Sequence, residues 1–62
     1  MYRKFSKLLQ NRGVTAYRVA KETGVSQASL SDWKSGKVKH PTAENLLKIA
    51  KYFGVDIAYF LE

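Results

Sequence analysis

The side chains of this 62-residue chain that could do chemistry are concentrated in one polar run, TGVSQASLSDWKSG, residues 23 to 36. It offers serine hydroxyls, the Gln27 amide and the Asp32 carboxylate, with Leu30 and Trp33 the only large apolar side chains. These groups do not add up to catalysis. No nucleophile stands with a base, no carboxylates cluster, and no glycine-rich loop is present to cradle a phosphate. The expectation is a protein that is not an enzyme. The chain has no cysteine, which excludes disulfides and thiolate metal sites, and lone His40 has no second ligand to complete a zinc shell. No metal and no cofactor is therefore expected. What remains is hydrogen bonding and charge. A polar run between two apolar segments of so small a chain is a loop, a solvated helix, or a surface that touches something.

Charge narrows the choice. Eleven Lys and Arg oppose five Asp and Glu, for a net charge of +6. Nine of the eleven (Arg3, Lys4, Lys7, Arg12, Arg18, Lys21, Lys34, Lys37 and Lys39) lie in residues 1–41, against only Glu22 and Asp32. Residues 42–62 reverse the balance, with Lys48 and Lys51 against Glu44, Asp56 and Glu62. A small domain basic over two-thirds of its length suits a polyanion, although simple solubility also accounts for a charge of this size. No apolar run approaches the roughly 20 residues of a membrane span, and no signal peptide opens the chain. A cytoplasmic protein is expected.

The elements that must position these groups are helical. Phe5, Leu8 and Leu9 recur at helical spacing in YRKFSKLLQNR, and Gly13 is a natural stop. Thr15 can cap a second helix over 16–23, ended by Gly24. Ser26 can cap a third running to about Lys34, stopped by Gly36, with the basic loop GKVKH after it. Pro41 and Thr42 open a fourth, whose Leu46, Leu47, Ile49, Ala50 and Phe53 form a broad apolar stripe up to Gly54. Asp56 caps a last short turn, IAYFLE. Nothing alternates long enough to be a strand. The fold expected is all-α: one domain of five helices, each too short to be stable alone. Helices two and three are joined by a few residues with one glycine, which forces a steep angle between them and makes a helix-turn-helix of about residues 15–35.

The segment TAYRVAKETGVSQASLSDWKSGK, followed by PTAENLLKIAKYFGVDIAYFLE, resembles the phage repressor and Cro helix-turn-helix family. The features that carry the likeness are small Ala20, turn Gly24, then Val25, Leu30, Trp33 and Gly36, and the final LLKIAKYFGV. The resemblance covers nearly the whole chain. It implies a five-helix DNA-binding domain in which helix two lies across the DNA backbone and helix three, about residues 26–35, enters the major groove. The implied function is sequence-specific binding of a double-stranded DNA operator as a transcriptional repressor or regulator.

On that reading Leu30 and Trp33 turn inward, and Ser26, Gln27, Ala28, Ser31 and Asp32 are the candidate base contacts, with Ser35 near the end. The Gln27 amide can pair bidentately with adenine, Ala28 can pack on a thymine methyl, and Asp32 can accept from cytosine N4 or turn away other sequences. Arg12, Thr15, Ala16, Arg18, Lys34, Lys37 and Lys39 are the candidate phosphate contacts. One departure from the family is Ala16, where Gln commonly braces both a phosphate and the recognition helix; Tyr17 and Arg18 are the candidates to compensate. Tyr2, Tyr17 and Tyr52 are expected half-buried with wet hydroxyls, and His40 exposed in its loop.

The final turn carries more apolar side chains than a short helix can bury. Ile57, Tyr59 and Phe60 are therefore candidates for a dimer contact, in keeping with a homodimer on DNA. The alternative is that they close the core of the single chain. A second function class is an antitoxin-like or adaptor module that uses the same fold mainly to hold a protein. The length suits both a whole Cro-like protein and the amino-terminal domain of a longer repressor.

Overall fold

The computed structural model describes residues 1–61 and contains five helices and, among the described residues, no strand. They are α1 (Tyr2–Arg12), α2 (Ala16–Thr23), α3 (Gln27–Ser35), α4 (Ala43–Phe53) and α5 (Ala58–Leu61). Glu62, expected in the last turn, lies outside the described residues.

Capping chemistry sets these limits. Three helices open on a hydroxyl that accepts the amide of the third helical residue. Thr15 Oγ1 accepts from Arg18 N at 3.2 Å, Ser26 Oγ from Ser29 N at 3.1 Å, and Thr42 Oγ1 from Asn45 N at 3.2 Å. Each bond satisfies an amide that the helix itself leaves without a partner. Ahead of α5, Ala58 N donates to Asp56 Oδ1 at 2.9 Å.

One core joins all five helices. It is built from Phe5 and Leu8 of α1, Val19 and Ala20 of α2, Val25 of the joint, Leu30 and Trp33 of α3, Leu46, Ile49, Ala50 and Phe53 of α4, and Phe60 of α5. Aromatic rings form its centre. Phe5 lies 5.1 Å from Trp33 and 6.1 Å from Phe53 between centroids, and Trp33 lies 6.3 Å from Phe60. The Arg12 Nη2 donates to Phe53 O at 2.9 Å, so the end of α1 closes the C-terminus of α4.

Three expectations are corrected here. Leu47 is 54% exposed, because Leu46, Ile49, Ala50 and Phe53 already form the i, i+3, i+4, i+7 row and the next position turns off it. Tyr17 is 58% exposed rather than half-buried, since Val19 and Ala20 take the inner side of α2. Phe60 is 1% exposed and belongs to the core of the single chain, which removes it as a dimer contact. The surplus apolar side chains of the last turn are Ile57 and Tyr59, both half-buried, and Leu61, which is exposed.

Candidate nucleic-acid interface

The joint between α2 and α3 is fastened from both sides. Thr23 Oγ1 donates to Val19 O at 2.6 Å and accepts from Val25 N at 3.2 Å. Gly24 sits at φ 84°, a left-handed conformation that side-chain-bearing residues rarely adopt, and its amide donates to Ala20 O. Val25 is buried directly after it. These contacts set α3 at a fixed angle to α2, with Leu30 and Trp33 as its two anchors in the core.

With those anchors inward, Gln27, Ala28, Ser31 and Ser35 are exposed on the outer side of α3, and Lys34 beside them. The sequence candidates divide. Ser26 is exposed, but its hydroxyl is engaged: it accepts from Ser29 N and donates to Ser29 Oγ at 2.9 Å. Asp32 is half-buried on the flank of α3 that faces the following loop, about 140° around the helix from Gln27. It lines a shallow depression with Val38, His40, Pro41 and Asn45. Its backbone oxygen accepts from Val38 N at 3.2 Å, which holds the basic loop against the helix. Lys37, Lys39 and His40 are exposed on that loop, and His40 Nδ1 lies 2.8 Å from Pro41 O.

The phosphate candidates of the first two helices are placed less uniformly. Arg12 is bonded to Phe53 O and stacks over the Phe53 ring at 5.8 Å. Arg18 pairs with Glu22, Nε to Oε2 2.7 Å, and Tyr52 of α4 donates its hydroxyl to the same oxygen at 3.3 Å. The hydrogen bond from Arg18 holds the Glu22 carboxyl below its ordinary value and raises the Arg18 guanidinium in return. Both side chains are largely solvated, so the pair orients Arg18 more than it stabilises the fold.

On the other flank of α2, Ala16 and Tyr17 meet Gln27, Leu30, Ser31 and Lys34 of α3 across an open cleft, with Tyr2 of α1 at its edge. Burial raises the Tyr2 phenol above its ordinary 10.0. Tyr17, which the sequence offered in place of the missing Gln, lines this cleft with an exposed side chain. It stands two residues before fully buried Val19, about 160° around the helix from it.

A family model described as helix-turn-helix matches residues 5–60. The chain belongs to the helix-turn-helix family of the phage repressor and Cro type. No curated protein and no solved structure matches it. Membership of this family points to a DNA-binding regulator. Its helix-turn-helix pair is α2 and α3, and the match reaches through α4 to Phe60, so the core helices are part of the family unit. Among the described residues no helix is long and apolar enough to cross a membrane.

Proposed function

We propose that this helix-turn-helix chain binds double-stranded DNA in a sequence-specific way and acts in the cytoplasm as a repressor, by covering a promoter. One observation carries the reading. The exposed side of α3 is made of a long amide, small side chains and hydroxyls, with Lys34, Lys37 and Lys39 around it. Small and neutral groups let a helix sit deep in the major groove, while the lysines meet the phosphates on either side.

In this arrangement Gln27 reads adenine through N6 and N7, Ala28 packs on a thymine methyl, and Ser31 donates or accepts according to the base it meets. Asp32, on the flank, accepts from a cytosine amino group at the edge of the site. Lys34, Lys37 and Lys39 and the first amides of α2, at Thr15 and Ala16, engage phosphates. Arg18 joins them only where a phosphate competes with Glu22. Each phosphate neutralised releases counterions, so affinity falls steeply with salt.

A two-fold dimer on DNA is part of the proposal. Leu47 and Leu61 are 54% and 63% exposed, and Leu47 shares an open groove with Val55 and Ile57, with Lys51 and Asp56 alongside. One cation and one anion beside an apolar centre are self-complementary about a two-fold axis. Two copies so joined would read half-sites about one helical turn apart.

The test is selection from a randomised duplex pool followed by sequencing. A motif repeated with two-fold symmetry is expected. Binding without an enriched motif, at any salt concentration, would overturn the sequence-specific reading. The same exposed Leu47 and Leu61 favour a second reading, an antitoxin-like or adaptor module whose main partner is a protein.

A further inference from the structure

Residues 1–41 carry nine basic side chains and two carboxylates, and one of the two, Glu22, stands on the exposed side of α2. Its surroundings set it apart. Among the described residues there are two ion pairs. Lys48 and Glu44 meet loosely at 3.9 Å within α4, whereas Arg18 Nε meets Glu22 Oε2 at 2.7 Å. The same oxygen also accepts the Tyr52 hydroxyl at 3.3 Å. Tyr52 is a firm post: it is half-buried, and its ring meets that of Phe53 edge to face, 5.1 Å between centroids. The carboxylate is thereby tied to the core helix α4, 30 residues away in sequence.

The stability of α2 does not call for this pair. Helix dipoles favour anions in the first turn and cations in the last. Here the cation, Arg18, is in the first turn of α2 and the anion, Glu22, in the last. A pair four residues apart is also weaker with the cation ahead of the anion. Both side chains are largely solvated, which leaves little for the fold to gain. The effect on Arg18 itself is greater. The bond occupies Nε, one corner of the planar fork with which arginine grips a phosphate through two parallel hydrogen bonds. It also places a negative charge beside a guanidinium on the same turn as the Thr15 and Ala16 amides, which engage a phosphate in the DNA-binding reading.

We propose that Glu22, held in place by Tyr52, is an intrachain competitor for Arg18: it occupies the guanidinium that a DNA phosphate would otherwise take, and so limits affinity for the backbone of any duplex. The proposal rests on the DNA-binding reading above and gives a function to two residues, Glu22 and Tyr52, that the reading left outside the interface. A phosphodiester oxygen that displaces the carboxylate gains Arg18, and the displaced carboxylate then faces it with like charge. Base reading by α3 is untouched, because phosphate contacts position the chain and carry no sequence.

The experiment measures the affinity of the full chain for the duplex that the wild type selects, and for a panel of its single-base variants, over a range of salt concentrations. Glu22→Gln keeps the shape of the side chain and removes its charge. It is expected to tighten binding about twofold to fivefold, by the same factor on every duplex, the range an exposed ion pair supports. The salt dependence should steepen by about 0.9 in log K against log salt, for one more phosphate neutralised. In an Arg18→Ala background the extra slope should disappear and the gain should shrink, since Glu22 then has nothing to withhold. Tyr52→Phe should give a smaller gain of the same sign. Glu22→Gln and Arg18→Ala alter solvated side chains and should melt with the wild type. An equal gain with and without Arg18 would overturn the competition and leave only the removal of a negative charge. A loss of affinity in Glu22→Gln would overturn it from the other side, with Glu22 presenting Arg18 to the phosphate. No change in Tyr52→Phe would overturn the part given to Tyr52. Failure of the wild type to bind any duplex would overturn the DNA-binding reading, and this proposal with it.

Discussion

α3 and α4 are neighbours of similar length that bury different shares of their side chains. α4 has eleven residues and sends Leu46, Ile49, Ala50 and Phe53 into the core. α3 has nine and sends only Leu30 and Trp33. Both are capped alike, α3 by Ser26 and a left-handed Gly36, α4 by Thr42 and a left-handed Gly54. What separates them is burial, four core side chains for α4 against two anchors for α3. The consequence is a division of labour: the outer side of α3 has almost no folding duty and is free to be chosen by what it touches.

The largest effect should come from the side of that comparison governed by burial. Ile49 is fully buried, and Ile49→Ala should lose about 2–5 kcal/mol in a urea melt, a large part of what a small domain has. Ser31→Ala, on the exposed side of α3, should stay within about 0.5 kcal/mol of the wild type. Equal losses would break the division.

Gln27→Ala should show the reverse profile. Its melting should match the wild type, while affinity for the selected duplex falls by about 1–3 kcal/mol, with tolerance gained at one base step. Gly24→Ala is next. An added Cβ there meets nothing within 4 Å, so the loss of about 1–2 kcal/mol reports backbone strain alone. Removing a cap from α3 by Ser26→Ala should cost about 1 kcal/mol of stability, read by the same melt.

The smallest effect is electrostatic. Arg18 lowers the Glu22 carboxyl in the folded chain below its ordinary 4.5. Whatever stability the pair gives is therefore fully present above that value and is lost as pH falls through it toward the lower folded value. The part of the acid destabilisation that disappears in Glu22→Gln should be small and should shrink further at high salt, because both partners are solvated.

Much of this was legible in the residues themselves. Thr15, Ser26, Thr42 and Asp56 announced helix starts through hydroxyls and a carboxylate that bond amides a few residues on. The four left-handed glycines marked the helix ends. Leu30 and Trp33 were readable as anchors because they are the only large apolar groups in a polar run. What could not be read depended on neighbours. Leu47 belongs to an apolar stripe in sequence, yet the row beside it had already filled the space. Phe60 sits in a turn with surplus apolar side chains, and only packing against Trp33 decides which of them goes inside. Asp32 and Gln27 share one polar run, but the turn of the helix and the Val38 amide place them on opposite flanks. The cleft at Tyr17 needs three helices to exist at all.

The central claim is that the outer side of α3 is the surface that meets DNA. The most direct measurement is amide chemical-shift mapping of the labelled chain during titration with the duplex it selects. The account predicts the largest shifts at Gln27, Ala28, Ser31, Ser35 and the loop lysines, with Tyr17 among them. Shifts confined to Leu47, Ile57 and Leu61, with α3 unmoved, would contradict it.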